Sequence, residues 1–337
     1  MVPLSDVQSS IAKNTTSLPE GLVALFVGGT NGVGEITLKQ LARHAKRPRI
    51  YFVGRSQEAG TRIAAECKVL NPEGQYIFIS ADASLLNVVD EVCRDFKRRE
   101  SALNFLFLSM GTATIYDETS EGLRRFTSLL YYGRIRFIVN LLPLLQRATG
   151  LRRVISVGSG GYEGPIDTTD LEARQASIAF YRGHVTSITT LALERLADQA
   201  PTVSFINTHP GTIKSGLMRE TDNFRMWVVW FILLLFGRWI YVPHAESGER
   251  NLFLLTSARY PPRDGEDAGV PMPEGMSVAR GCDGERGSGV YSVIWTGETP
   301  DTALEVLAGL RKKGMREMIW RYTESQFKRV TGAESIE

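Results

Sequence analysis

The stretch SIAFYRGHVTSI, residues 177–188, holds three side chains that could do acid–base chemistry. Tyr181 could donate a proton, Arg182 could supply a positive charge, and His184 could act as an acid or a base near neutral pH. On a helix, residues 181 and 184 share one face, so both could equally serve packing or capping. A catalytic role for at least one of the three and a structural role for all of them both stay open.

Other polar residues offer weaker candidates. Tyr162 and Glu163 stand on a glycine-rich loop, and loops often carry functional side chains. For His209, beside a strand end, a structural role is favoured, and His44 can stabilise the dipole of a nearby helix end without any catalytic function. The cysteines are odd in number and far apart, so we expect a reducing intracellular setting and no metal site; they are Cys67, Cys93 and Cys282.

Seven short apolar runs alternate with amphipathic helical patterns along the chain. Runs that are apolar throughout predict strands buried on both faces, and the strand–helix alternation predicts parallel crossover units. We therefore predict an α/β fold with a doubly wound parallel sheet, the Rossmann fold, in a single domain with a C-terminal helical extension. The runs are residues 22–28, 49–54, 75–82, 104–111, 152–159, 202–211 and 289–295.

Composition divides the chain into three parts. Residues 1–19 form a polar N-terminal arm without an apolar stretch, so no signal peptide is expected. Residues 20–255 form the core with most of the strands and helices. Residues 256–337 begin with a long loop rich in glycine, proline and charge (257–288) and continue into the last strand and one or two terminal helices.

The first strand leads into a glycine-rich turn, VGGTNGVGEITLKQL, which opens a helix. Gly28 permits a tight turn, Gly32 lets a pyrophosphate approach the backbone, and Gly34 allows close contact between helix and strand. The helix N-terminus then offers free N–H groups and a positive dipole end to the anion. The predicted cofactor-binding residues of this turn are Gly28, Thr30, Asn31, Gly32, Val33 and Gly34.

The end of the second strand indicates which dinucleotide binds. NAD(H) is usually held there by an acidic residue that contacts the free ribose hydroxyl. Here the strand ends in VGRS, with Arg55 and Ser56 and no acid. A guanidinium group suits a 2′-phosphate through paired charge-assisted hydrogen bonds, so NADP(H) is favoured. The alternative is that Arg55 is only a solvated loop residue.

The spacing Gly28-xxx-Gly32-x-Gly34 resembles that of the short-chain dehydrogenase/reductase family, and the resemblance covers roughly residues 20–255. It identifies Asp82 with the family's adenine-contacting aspartate and Gly111 with the glycine of its Asn-Ala-Gly motif. In overall form the chain is similar to members from fungal specialised metabolism. The family's Pro-Gly turn over the nicotinamide is matched by HPGTIKS (209–215), with Pro210, Gly211, Thr212 and Ser215 in place.

The family's catalytic tetrad is matched only in part. In the family a tyrosine protonates the substrate oxygen, a lysine four residues later lowers the pKa of that tyrosine, a serine binds the oxygen, and an asparagine completes a proton relay. The resemblance identifies Ser159, in RVISVGSGG, with the catalytic serine. The chain has no lysine between Lys97 and Lys214, so the Tyr-x-x-x-Lys motif is absent, and the asparagine position falls near Leu130.

An apolar segment, MWVVWFILLLF at 226–236, follows the Pro-Gly turn. It is too short to span a membrane, which takes about 20 apolar residues. Members of the resembled family carry a mobile lid here, so residues 216–242 are expected to enclose a hydrophobic small-molecule substrate. The alternatives are peripheral membrane contact through 226–241 and a buried core helix or subunit contact.

The charge balance argues against some partners. A formal net charge of +2 without a basic cluster excludes nucleic acid as an expected partner. The chain is expected to be cytoplasmic, with membrane association left open. The family resemblance implies a homodimer or homotetramer through the helices at 121–147 and 176–199.

Three functions fit these patterns. The first is an NADPH-dependent reductase or dehydrogenase of a hydrophobic carbonyl or alcohol, with Ser159 binding the oxygen and Tyr181 or His184 giving the proton. The second is a redox-silent isomerase, dehydratase or cyclase in which one positioned acid acts in an apolar pocket. The third is a non-catalytic nucleotide-binding protein. The first is preferred because the nucleotide-binding half and the Pro-Gly turn are intact.

Overall fold

A computed structural model describes residues 1–114, 116–174, 177–213, 241–265 and 269–336, and within them the chain forms a seven-stranded parallel sheet. Each predicted apolar run contains one strand, so the doubly wound parallel sheet is confirmed. The order across the sheet is β3-β2-β1-β4-β5-β6-β7. The strands are β1 Val23–Val27, β2 Arg49–Gly54, β3 Gln75–Ser80, β4 Phe105–Leu108, β5 Arg153–Val157, β6 Ser204–Thr208 and β7 Val290–Val293.

Helices cover both faces of the sheet. A five-residue π-helical turn, Ser128–Tyr132, joins the sixth helix to the seventh. The helices are α1 Leu4–Ala12, α2 Asn14–Ser17, α3 Gly32–His44, α4 Gln57–Leu70, α5 Leu86–Arg99, α6 Arg125–Thr127, α7 Gly133–Arg147, α8 Ile178–Gln199, α9 His244–Thr256, α10 Asp301–Lys312 and α11 Met315–Thr331.

Strand β1 is a central strand of the sheet, and its run is apolar throughout because both of its faces are covered. Successive side chains of a strand point to opposite faces, so both faces must be apolar where helices cover both. Val23, Leu25 and Val27 join the core that includes α5, α7, α8 and α11. Ala24 and Phe26 join the opposite core, which includes α1, α3 and α9.

Both ends of the chain pack onto this body. Helix α1 of the N-terminal segment lies against α9. Near the other end, the buried guanidinium of Arg136 pairs with both carboxylate oxygens of Asp90, at 2.6 and 2.7 Å. It also donates to the backbone carbonyls of Ala333 and Glu334, at 2.9 and 2.6 Å. The predicted terminal helices are two, divided at Gly314, whose φ of +69° ends the first.

The sheet order reverses direction between β1 and β4, and there the carboxyl ends of neighbouring strands open a crevice where ligands of such sheets bind. The glycine turn and Ser159 both lie at this edge. In the described part of the chain, no helix is long and apolar enough to cross a membrane. The apolar segment 226–236 lies outside the described residues.

Candidate nucleotide-binding and active site

The glycine turn after β1 is packed backbone against backbone. Gly28 has a φ of +86°, and a Cβ there would lie 2.6 Å from the backbone nitrogen of Met110. A Cβ on Gly34 would lie 2.3 Å from the carbonyl oxygen of Gly28 and 2.5 Å from Oγ of Ser109. No side chain fits at either position, and the resulting cradle suits the pyrophosphate of a dinucleotide.

The helix that follows presents its N-terminus to this turn. Asn31 is the N-cap of the 13-residue helix α3, and its side-chain oxygen accepts the N–H of Gly32 at 2.7 Å. Thr30 fills the space over Gly54 at the end of β2, where a Cβ would meet the threonine side chain at 2.4 Å. Val33 packs against the core. The positive end of the helix dipole therefore lies at the cradle, where it favours an anion.

The far end of the predicted nucleotide site carries two arginines and an aspartate. Arg55 is exposed directly after β2. Ser56 is the N-cap of α4, since its hydroxyl accepts the N–H of Ala59 at 3.2 Å. Burial raises the pKa of the Asp82 carboxyl, but hydrogen bonds from Ser84 and the charges of Arg125 and Arg55 outweigh burial and lower it overall. Asp82 is therefore an ionised hydrogen-bond acceptor near neutral pH.

The turn at β4 supports the cradle. Ser109 stands where the resembled family has asparagine, and its hydroxyl lies within 3.3 Å of the Val27 carbonyl and 3.2 Å of the Gly28 carbonyl. Its hydroxyl thus ties the end of β4 to the end of β1. Gly111, two residues on, is partly exposed beside this contact.

Ser159 begins a tight turn at the end of β5. The backbone N–H of Tyr162 donates to the Ser159 carbonyl at 3.0 Å, and Gly161 has a φ of +82°. These features define a type II β-turn, in which the first and fourth Cα atoms lie within about 7 Å. A Cβ on Gly160 would lie 2.2 Å from the Asn207 carbonyl oxygen, so this turn, 159–162, is pressed against β6.

A stack of three side chains stands on this turn. The guanidinium carbon of Arg182 lies 3.6 Å from the centroid of the Tyr162 ring. The ring of His209 meets Tyr162 edge-on, with centroids 5.1 Å apart. Nδ1 of His209 lies 3.2 Å from the Gly158 carbonyl, which can only accept, so Nδ1 carries the proton. Burial and the nearby Arg182 lower the pKa of His209, which leaves its Nε2 unprotonated near neutral pH.

The other two side chains of the FYRGHV stretch are turned into the protein. Tyr181 is 4% exposed, and its hydroxyl donates to Oγ1 of Thr127 at 3.0 Å. In the His184 ring, Nδ1 accepts the N–H of Asp167 at 3.2 Å and Nε2 donates to the Leu171 carbonyl at 3.0 Å. Burial raises the pKa of Tyr181 and lowers that of His184. The predicted catalytic roles of both stay predictions, and their observed contacts are structural.

Beneath the Ser159 turn lies a buried polar network. Glu163 accepts a hydrogen bond from Thr190 at 2.8 Å and another from Ser292. Thr190 in turn accepts from the Asn207 amide at 3.0 Å, and Ser292 accepts the N–H of Gly161 at 2.8 Å. Burial raises the pKa of Glu163. This network fixes the loop that carries Ser159 and Tyr162, and a serine inside the apolar run GVYSVIW was its signal in the sequence.

Arg134 also supports this part of the site, although it was not among the residues predicted from the sequence. Its guanidinium is fully buried between β4 and β5 and donates to the carbonyls of Met110 and Val157, both at 2.6 Å, and to Oγ of Ser156 at 2.9 Å. Burial lowers the pKa of Arg134 to about 9. It holds together the carboxyl ends of β4 and β5. An arginine inside the apolar helix GRIRFIVNLLPLL was the available signal.

The Pro-Gly turn after β6 is anchored to the segment that enters α9. Pro210 and Gly211 follow His209, and a Cβ on Gly211 would lie 2.7 Å from the Val242 side chain. The carbonyl of Thr212 accepts the N–H of Val242 at 2.9 Å. Ser215 and the predicted lid lie largely within 214–240, outside the described residues.

No protein-family model matches the chain. It is 40% identical over 335 residues to the oxidoreductase AN1596 of Emericella nidulans, covering 96% of this chain and 98% of that protein. It is 29% identical over 319 residues to the short-chain dehydrogenase/reductase SAT2 of Stachybotrys chartarum, covering 87% and 88%. L-Sorbose reductase of Gluconobacter frateurii, solved with NADPH and L-sorbose, gives a TM-score of 0.55 at 14% identity and covers 83% of this chain and 97% of its own.

These similarities and the geometry of the site agree. The solved structure shows a shared fold, and the fungal relatives are oxidoreductases that match nearly the whole chain. The chain belongs to the short-chain dehydrogenase/reductase family of oxidoreductases. The sequence has no lysine between Lys97 and Lys214, so the family's Tyr-x-x-x-Lys pair is not present in helix α8.

Proposed function

We propose that this protein is an NADP(H)-dependent oxidoreductase that interconverts a hydrophobic carbonyl compound and its alcohol. The observation that carries the proposal is the cradle at the glycine turn. Two backbone approaches there exclude any side chain at Gly28 and Gly34, and the N-terminus of α3 faces the same space. A nicotinamide cofactor supplies or accepts a hydride when bound, and the similarity to a reductase solved with NADPH supports this choice.

Different residues of the site bind different parts of the cofactor and the substrate. The glycine turn binds the pyrophosphate through backbone N–H groups, and Asp82 accepts a hydrogen bond from the adenine. Arg55 pairs with the 2′-phosphate that distinguishes NADP(H) from NAD(H). Pro210, Gly211 and Thr212 cover the nicotinamide, and Ser159 donates a hydrogen bond to the substrate oxygen.

The proposed substrate is hydrophobic because a long apolar segment comes after the Pro-Gly turn in the sequence. Residues 226–236 are eleven consecutive apolar residues, and they come ten residues after the Pro-Gly turn in the sequence. A concave site lined by apolar and aromatic side chains with a few polar groups favours a ligand with a large apolar surface. The reacting oxygen would be the part of the substrate that Ser159 contacts.

A fluorescence titration with NADPH and NADH tests the nucleotide proposal. A hydrogen-bonded ion pair is worth about 1.5–3 kcal/mol, so Arg55→Ala should weaken NADPH binding by about 10- to 150-fold. NADH, which lacks the 2′-phosphate, should bind the variant nearly as it binds the wild type. The matched control is Arg321→Ala, which removes an exposed arginine from α11 and should leave both dissociation constants unchanged.

Two results would contradict the proposal at different points. If Arg55→Ala weakens NADPH and NADH equally, Arg55 does not read the 2′-phosphate. If the wild type binds neither nucleotide, the glycine turn is not a dinucleotide site and the oxidoreductase proposal fails with it.

A further inference from the structure

We propose that Tyr162 is the proton donor of this enzyme and that Arg182 is the positioning cation that takes the place of the absent lysine. The inference rests on the proposed function, because it names the acid for the same reaction. Four observations carry it: the turn that joins Tyr162 to Ser159, the charge over its ring, the contact that brings that charge there, and the burial of Tyr181.

The turn at the end of β5 places Tyr162 beside Ser159. The hydrogen bond of 3.0 Å from the Tyr162 N–H to the Ser159 carbonyl makes these the fourth and first residues of one β-turn. Their Cα atoms therefore lie within about 7 Å. Tyr162 is also 41% exposed, whereas most large side chains around it are buried. In the proposed step, a substrate oxygen bound by the Ser159 hydroxyl lies next to this exposed phenol.

Arg182 supplies the positive charge that acid–base work by a tyrosine needs. A tyrosine that gives up its proton becomes a phenolate, and a free phenol resists this change near neutral pH. The guanidinium carbon of Arg182, 3.6 Å from the ring centroid, puts a cation next to the charge that proton donation leaves. Between Lys97 and residue 213, the described part of the chain contains no lysine that could supply this positive charge.

A contact between two glycines brings Arg182 to this position. A Cβ on Gly183 would lie 3.0 Å from Cα of Gly164, and a Cβ on Gly164 would lie 2.9 Å from Cα of Gly183. The Gly164 N–H also donates to Oγ of Ser187 at 3.0 Å, and that hydroxyl donates back to the Gly164 carbonyl at 2.7 Å. The loop after Tyr162 is therefore drawn onto the first turns of α8, directly beside Arg182.

Tyr181, the other candidate proton donor near Arg182, is poorly placed for the same task. Its hydroxyl proton is given to Thr127, and its ring packs on Phe126 with centroids 4.7 Å apart. At 4% exposure it has little access to solvent from which to recover a proton. Burial also raises its pKa, which opposes the phenolate.

The proton and electron balance of the step is complete. In the reducing direction the carbonyl carbon receives a hydride, which the cofactor supplies, and forms a new C–H bond. The electron pair of the broken C=O π bond moves to the oxygen, which takes the proton of the Tyr162 hydroxyl while Ser159 donates a hydrogen bond to it. The alcohol leaves, and the exposed Tyr162 phenolate recovers a proton from water. Oxidation of the alcohol follows the reverse path.

The matched pair Tyr162→Phe and Tyr181→Phe tests the assignment, because each variant loses one hydroxyl and keeps its ring. The probes are acetophenone, benzil and 2-decanone with NADPH, and the readouts are kcat, the NADPH dissociation constant from fluorescence, and Tm. Tyr162→Phe should lower kcat by about 10²- to 10⁴-fold, the usual share of a general acid, with NADPH affinity and Tm unchanged. Tyr181→Phe should keep kcat within a few-fold and lower Tm slightly through the lost Thr127 hydrogen bond.

Variants of Arg182 test its part separately. Arg182→Met should lower kcat and leave the KM for each probe and the NADPH dissociation constant nearly unchanged. Arg182→Lys retains a positive charge and should restore much of kcat. A structural role for Arg182 would lower Tm in both variants, and kcat would then follow Tm and not the charge at this position.

The outcomes separate this inference from the proposed function. Probe reduction that survives in Tyr162→Phe and is lost in Tyr181→Phe would overturn the inference and leave the oxidoreductase proposal standing. A wild type that binds NADPH but reduces none of the probes would overturn both.

Discussion

Gly34→Ala tests the claim that the glycine turn is a nucleotide cradle with no spare room. The added Cβ would lie 2.3 Å from the Gly28 carbonyl oxygen and 2.5 Å from Oγ of Ser109. Carbon–oxygen contacts are ordinarily about 3.3–3.6 Å, so α3 must move away from β1 by roughly 1 Å. Neither neighbour can give way cheaply, since the first is backbone and the second is hydrogen-bonded to the Val27 and Gly28 carbonyls.

The shift should affect binding more than folding. Overpacking of this kind destabilises a protein by about 1–3 kcal/mol, which a chain of this size tolerates. The same shift misplaces the N–H groups at the start of α3, and each lost hydrogen bond to the pyrophosphate weakens binding by about 1.5–3 kcal/mol. We therefore expect the NADPH dissociation constant to rise about 10- to 150-fold for each such bond lost.

Isothermal titration calorimetry with NADPH measures this change, and circular dichroism checks the fold. Gly309→Ala is the matched control, because an added Cβ there meets nothing within 4 Å on the exposed side of α10. That variant should bind NADPH normally. Its free energy of unfolding should be about 0.5–1 kcal/mol higher than that of the wild type, because alanine is favoured over glycine inside a helix. A folded Gly34→Ala that binds NADPH as tightly as the wild type would refute the cradle.

Two further predictions concern buried groups. Burial raises the pKa of Glu163 above the ordinary 4.5, so the native state holds the proton more tightly and the wild type loses stability as pH rises from about 4.5 through the native pKa. The glutamine of Glu163→Gln does not titrate, so the Tm of this variant should rise relative to that of the wild type as pH increases across this window, which scanning calorimetry measures. A Tm difference that stays constant with pH would contradict this prediction. Arg134→Met removes the hydrogen-bond donors for the Met110 and Val157 carbonyls. Urea unfolding should show a free energy of unfolding lower by about 2 kcal/mol or more. An unchanged urea midpoint would contradict the role of Arg134 in joining the two strand ends.

The sequence predicted the sheet because the signal is local. Each strand needs only a short run that is apolar on both faces, and all seven runs contain a strand. The glycine turn was equally readable, since Gly28 and Gly34 stand where the tight turn and the close helix contact require them. Ends of strands and the division of the terminal helices at Gly314 were less sharply predicted, because they depend on how neighbouring elements pack.

The active-site arrangement could not be predicted in the same way. Helical spacing places residues 181 and 184 on one face, but it does not say whether that face meets solvent or the core. The structure buries Tyr181 against Thr127 and gives both ring nitrogens of His184 to backbone groups of the loop before α8. The contact of Arg182 with Tyr162 joins residues twenty positions apart and depends on a glycine pair whose closeness has no signature in spacing.

The same contacts explain why one short stretch serves two tasks. In FYRGHV, Gly183 and His184 hold the loop after the Ser159 turn against α8, and Arg182 reaches out to Tyr162. A chain without the family's lysine thereby has a cation over a phenol, and that tyrosine ends the turn that begins at Ser159. The pair comes from two elements rather than from one helix.

Transfer of deuterium from labelled NADPH shows whether the protein moves a hydride to a carbonyl carbon. Acetophenone, benzil and 2-decanone would be incubated with the enzyme and NADPH that carries deuterium at C4 of the nicotinamide, in each of its two stereochemical forms. We expect one of the two forms to deliver a single deuterium to the carbinol carbon of the alcohol product, which mass spectrometry detects. Tight NADPH binding with no labelled alcohol from either form would contradict it and would favour redox-silent chemistry on this scaffold.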